Sequence, residues 1–260
     1  VSVEEFTTSS RGKAERALVG VLQSGTPVMI GVDMGFLPYF DFPDEYHFGG
    51  HVVVVCGWDA GRQVLVADRD MNLHPVSLDE IAMARSSTYK PFPPRNVWWT
   101  WDFAEARPPT TDETRTAIRE VVRGMLEPPI ANLGVRGIAT AAKRVREWPQ
   151  ALTPKQIQRA CVEAFILIDS TGGTGGGMFR YMYGRFLAEA AGIMGDPGLA
   201  QIGSGFEPIG DAWQQVAEAF SAAGQTVDAA DRLPDIADLL AGIEPLEREG
   251  WASLRVAVGP

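Results

Sequence analysis

Cysteine and histidine are scarce in this chain. There are two of the first, Cys56 and Cys161, and three of the second, His47, His51 and His74. No CxxC pair or Cys/His cluster offers zinc-ligand spacing. HxH and HExxH spacings are missing too, so the sequence implies no metal and no cofactor. No apolar run reaches the ~18 residues of a membrane helix, and no N-terminal basic-then-apolar segment reads as a signal peptide. Basic runs are absent. With 33 acidic and 23 basic residues the net charge is −10, which leaves no footprint for a nucleic-acid partner. Residues 1–107 and 108–260 each net −5, so the acidity is spread and forms no tail. Such a surface favours solubility and, weakly, cationic small molecules.

What is present is the composition of a globular protein. Apolar residues make up 45% and charged residues 22%, which excludes wholesale disorder. Both cysteines lie in apolar runs and are expected to be buried; two such thiols suit a reducing compartment, so the expected localisation is cytoplasmic. The chain begins at Val1, from which a processed, trimmed or incomplete form is expected.

The first hundred residues read as mixed α and β. Helical spacing of Ala14, Ala17, Leu18, Val21 and Leu22 predicts a short helix, stopped by Gly25. Residues 27–32 read as a buried strand. Residues 33–50, rich in Gly, Pro and aromatics, read as a long functional loop. His51–Trp58 reads as a central strand, apolar on both faces. A turn at 59–61 and a returning strand to residue 67 complete a hairpin. A short helix over 78–84 and an aromatic antiparallel strand over 97–103 follow.

After the break at residues 107–111 the period becomes 3.6. Thr110 with Glu113, and Thr153 with Gln156, are capping-box pairs that open helices. Further helices are expected over 135–148, 178–194, around Trp213–Phe220 and over 234–246. The fold class is therefore α+β: a mixed segment over 1–107, then an all-α domain over 108–260.

The hairpin suggests a chemical pair. His51 opens one strand and Asp68 closes its partner, so the two can meet at one end of the sheet. A carboxylate beside an imidazole fixes the tautomer and stabilises the protonated ring, as a general base requires. His47, in the loop, has neither strand geometry nor a carboxylate at matching spacing. His74 precedes Pro75 and reads as a surface loop residue. A nucleophile is harder to place. Cys56 lies five residues along the same strand, on the other face or well away from His51. Cys161 sits on the apolar face of a helix, and Ser9 and Ser10 lack an elbow motif.

A second element is the glycine-rich run over 171–177. It lacks a preceding strand and a following Lys-Ser/Thr, so it is neither a Walker loop nor a dinucleotide fingerprint. A tight reversal between helices, with positive φ or close backbone contact near Gly175 and Gly176, explains it. Arg180, just after it, is the one candidate there for holding an anion.

Together these residues bring a resemblance. Leu22, Gly25, Pro27, Val28, Val32, Asp33, Leu37, Pro38, Tyr39, His47, Gly49, Gly50, His51, Gly57, Trp58, Asp59 and Asp68 form a pattern that is similar to the later part of the butirosin biosynthesis protein H N-terminal domain. The stretch DSTGGTGGGMFRYMYGRFLAEAA resembles the signature of the helical domain of unknown function that follows it. The resemblance implies a papain-like cysteine-hydrolase/acyltransferase domain, here lacking its first segment. It implies a Cys-His-Asp triad with His51 as general base, Asp68 as its orienter and the Cys upstream of these residues. It further implies acyl transfer from an acyl carrier protein thioester to a small-molecule amine, a cationic one suiting the acidic surface. Asp33, Tyr39 and Arg180 are candidate substrate contacts. Cysteine peptidase or amidase chemistry, and a non-catalytic scaffold, are the alternatives; an oligomer is compatible with all three.

Overall fold

A computed structural model describes residues 1–42, 45–59, 62–90, 92–169 and 176–259. The chain forms two compact units, Val1–Arg107 and Pro108–Pro260.

The first unit is a six-stranded sheet with helices on one face. In chain order it contains β1 (Ser2–Phe6), α1 (Arg11–Gln23), β2 (Val28–Val32), a 3-10 turn (Met34–Phe36), β3 (His51–Trp58), β4 (Gln63–Ala67), β5 (Leu73–Ser77), α2 (Leu78–Ser86) and β6 (Trp98–Asp102). The sheet order is β1-β6-β2-β3-β4-β5, and the paired neighbours run antiparallel. Ser10 caps α1 by accepting from Lys13 N, and Ser77 with Glu80 forms a capping box at α2. Leu18 and Leu22 of α1 and Leu78 and Ile81 of α2 bury against Ile30, Val32, Val53, Val55, Val64 and Val66. Burying each of those aliphatic side chains is worth roughly 1.5–3 kcal/mol.

The period-2 geometry of β3 sends Val53 and Val55 into that core, while Val52 remains 41% exposed. The strand is central, as its apolar run predicts, with β2 and β4 as its neighbours, and only one face of the sheet carries α1 and α2. The expected burial of Cys56 is corrected. The register shifts between Val55 and Gly57, so Cys56 sits at a β-bulge. It is exposed, with its thiol donating to Leu65 O at 3.4 Å. Two strands lay below sequence resolution, β1 and β5. Every residue of β1 is exposed, so it has no alternating pattern to read, and β5 carries His74-Pro75, which reads as a loop.

The second unit contains α3 (Thr111–Leu126), α4 (Gly134–Ala151), α5 (Pro154–Ile168), α6 (Gly176–Met194), α7 (Pro197–Ser204), α8 (Phe206–Gly224) and α9 (Ala229–Val258). Both expected capping boxes are formed, at Thr110/Glu113 and Thr153/Gln156. One core gathers Ile157, Cys161, Phe220 and Leu233; another gathers Ile118, Leu187, Phe206 and Trp251. Helix α9 runs for 30 residues through Pro234 and Pro245, starting earlier and ending later than the expected 234–246. Helix α6 approaches its neighbours through glycine. A Cβ on Gly184 would lie 2.8 Å from Gly203 O, and one on Gly203 2.7 Å from Gly184 O. The two backbones of α6 and α7 therefore meet where no side chain fits.

Candidate functional site

The strand ends build the site. Val32, the last residue of β2, pairs with His51, the first of β3, and Asp68 directly follows β4. Three chain segments thus place Asp33, His51 and Asp68 at the same end of the sheet. Gly49 lies against the backbone of the segment before β6: a Cβ there would sit 2.0 Å from Phe92 O. Only glycine allows the chain to enter β3 along that path.

His51 Nε2 lies 2.9 Å from both Oδ1 and Oδ2 of Asp68. Tyr39 Oη donates to Asp68 Oδ2 at 2.8 Å. The His51 side chain is 16% exposed and that of Asp68 4%. Burial pushes the Asp68 carboxyl up, but the hydrogen bond and charge of His51, the Tyr39 hydroxyl and the Arg69 charge outweigh it and hold the carboxyl below its ordinary value. Burial and the bond to Asp68 push the Tyr39 phenol up, so it keeps its proton. An ionised carboxylate only accepts. Both partners of Asp68 therefore donate, Nε2 carries the hydrogen, and the lone pair of the neutral ring is on Nδ1. No partner engages Nδ1 among the described residues. His51 lines an open cleft of about 530 Å³ whose walls include Phe92, Val97 and Trp99, with Glu5 and Arg95 as its charged side chains. Glu5 is held by Trp99 Nε1 at 2.8 Å.

Around this pair the other two histidines have partners that the sequence did not reveal. His47 Nδ1 is 3.1 Å from Asp33 Oδ2, and its ring stacks on Tyr89 at 3.4 Å. The reading of His47 as lacking a carboxylate is therefore corrected; the partner directly follows β2, 14 residues upstream, and no local spacing links the two. His74 is likewise corrected. It lies in β5, meets Asp70 Oδ1 at 3.1 Å and stacks on the Tyr39 ring with centroids 4.1 Å apart.

Asp33 and Arg180, expected as substrate contacts, are placed otherwise. Asp33 is 0% exposed. Its Oδ1 accepts from Gly35 N and Phe48 N at 3.0 Å each, and its Oδ2 accepts from Ser87 Oγ at 2.5 Å. It ties both ends of the loop between β2 and β3 to the cap of α2. Arg180 Nε donates to Glu247 Oε1 at 2.6 Å, and its guanidinium lies over the Trp251 ring at 5.4 Å. Glu247 is 0% exposed and also accepts from Trp213 Nε1 and Trp251 Nε1. The Arg180 charge is spent inside the helical unit. Gly175 lies outside the described residues, with the rest of the run over 170–175. Gly176 and Gly177 are helical, and a Cβ on Gly177 would lie 2.8 Å from Gly210 O. Close backbone contact, and no positive φ, explains these two.

Cys161 is fully buried, and burial pushes its thiol up. Cys56 lies about 16 Å along β3 from His51 and, five positions on, faces the other side of the sheet. Groups of three or more metal-ligating side chains are absent among the described residues. None of the described helices is long and apolar enough to cross a membrane.

This is an α+β protein with an imidazole–carboxylate pair set at strand ends beside a cleft. Residues 1–69 match the family described as butirosin biosynthesis protein H, N-terminal, and residues 79–254 match a domain of unknown function, DUF4872. The chain belongs to the butirosin biosynthesis protein H-like family, with that domain of unknown function following the N-terminal one. No curated protein matches the chain.

Proposed function

We propose that this chain serves acyl transfer in specialised metabolism, moving an acyl group from a carrier-protein thioester to a small-molecule amine through a Cys-His-Asp triad on a papain-like domain. The observation that carries the reading is the tautomer set by Asp68: Nε2 is committed, Nδ1 is left as the basic nitrogen, and residue 51 stands at the edge of an open cleft. The family assignment supports the pathway class.

In this reading His51 Nδ1 takes the proton of a cysteine thiol. The thiolate attacks the thioester carbonyl, the carrier thiolate leaves, and it departs with the proton from His51. The acceptor amine then attacks the acyl-cysteine and loses its proton to Nδ1, and the cysteine leaves as thiolate and is reprotonated. Asp68 stays ionised and holds the ring through both half-reactions. The thiol comes from outside these residues, since Cys161 is buried and Cys56 faces away.

The placement of both cysteines is also what favours the second reading, a non-catalytic binding protein. Full-length protein incubated with acyl-carrier thioesters and a panel of amines separates the two. Amide product in the wild type, lost in His51→Ala at unchanged melting temperature, is the expected result. Equal product with His51→Ala overturns the triad. Hydrolysis without amide favours a peptidase or amidase and overturns the transferase.

A further inference from the structure

Among the described residues the carboxylate of Asp68 has two donors, and only one of them is His51. Tyr39 Oη takes a site on Oδ2 at 2.8 Å, the same oxygen that Nε2 approaches at 2.9 Å. The phenol is itself held. Its ring is stacked on His74 on one side and packs on Phe40 at 4.8 Å, and Phe40 meets the His51 ring edge-on at 6.1 Å. His74 is anchored by Asp70, and the Arg69 guanidinium lies over Phe40 at 4.9 Å. Tyr39 belongs to the loop whose two ends Asp33 ties down through Gly35 N and Phe48 N. The loop fold therefore fixes the phenol, and the phenol fixes which oxygens Asp68 presents to the imidazole.

We infer that Tyr39 is a positioning residue for the His51–Asp68 pair, one that sets both the orientation of the Asp68 carboxylate and the share of its charge available to His51 Nε2. The physical reason is competition for one acceptor. Two donors on one carboxylate each draw on the same negative charge, so each bond is weaker than it would be alone. With the phenol in place, the imidazole is oriented but not locked into a maximally stabilised imidazolium, and a ring that must both take and return a proton needs that balance. The assignment rests on the acyl-transfer reading for its catalytic meaning, but the coupling it asserts exists in the resting protein.

The test uses that independence. The Nε2–H proton of His51 is followed by nuclear magnetic resonance in the full-length protein without substrate, with the three histidines assigned by single substitution. In Tyr39→Phe the carboxylate loses its second donor, and the Nε2–H resonance is expected to move downfield. In protein carrying 3-fluorotyrosine at position 39, a stronger donor of nearly the same shape, it is expected to move upfield. Turnover of Tyr39→Phe is expected to fall roughly tenfold in kcat with KM unchanged, by analogy with the outer hydrogen-bond partners of metal-bound imidazoles. An Nε2–H resonance that stays put in folded samples of both variants overturns the inference. Should Tyr39→Phe fail to fold, the fluorinated protein alone decides, by the same criterion. Failure of the acyl-transfer reading shows separately, as wild-type product in His51→Ala, and leaves the resonance shifts where they are.

Discussion

His51 and Asp68, 17 residues apart, meet with Nε2 at 2.9 Å from both carboxylate oxygens. The pair meets through Nε2, and no described residue engages Nδ1, so the two substitutions are not equivalent. Under the proposed acyl-transfer function, His51→Ala removes the base and is expected to abolish product. Asp68→Asn leaves a neutral amide that no longer enforces the tautomer, and is expected to reduce kcat by roughly 10³–10⁴-fold. Product formation beside a thermal melt of each variant measures both.

The depressed Asp68 carboxyl makes a pH prediction about stability. Its folded value lies below the ordinary 3.8. The contribution is therefore complete above the unfolded value and is lost as pH falls through the folded one. Stability of the wild type should decline below about pH 4 more steeply than that of Asp68→Asn. Denaturant midpoints between neutral pH and acid in both proteins give the comparison; parallel curves contradict it.

Thiol chemistry distinguishes the two cysteines. Cys56 is exposed at a bulge and Cys161 is buried with a raised pKa. A thiol reagent followed by mass spectrometry should modify Cys56 in the native protein and Cys161 only on unfolding. Cys56→Ser should leave acyl transfer unchanged, because that thiol faces away from His51.

Glu247 anchors the helical unit. It is fully buried and takes Arg180, Trp213 and Trp251 as donors. Glu247→Ala leaves a cation and two indole N–H groups without their acceptor, and is expected to cost about 3–5 kcal/mol. The double variant Arg180→Met/Glu247→Leu should recover much of that. Chemical denaturation of the two variants reads the difference.

The α6–α7 crossing predicts a steric cost. Gly184→Ala would push a methyl to within 2.8 Å of Gly203 O, and the helices must separate. A loss of roughly 1–3 kcal/mol is expected. Gly192→Ala on the same helix, where nothing lies within 4 Å, should be neutral or stabilising. Melting temperatures of the pair check it.

The sequence by itself determined the order of most elements. The helix of Ala14 to Leu22, the strand His51–Trp58 and the capping boxes at Thr110 and Thr153 rest on short-range signals: side-chain periodicity and a donor–acceptor match three residues apart. The meeting of His51 with Asp68 was legible for a related reason, since a hairpin converts sequence spacing into spatial pairing. Tertiary structure alone decided the rest. Asp33 with His47 and Ser87, Tyr39 on Asp68 and His74, and Arg180 on Glu247 join residues whose separations follow no local period. Burial of Asp33 turned an expected ligand contact into a knot for its loop, and exposure of Cys56 followed from helices that cover only the other face of the sheet. Such contacts form only once the sheet and helices have closed, because an unpaired buried charge or donor then has to find a partner or be excluded.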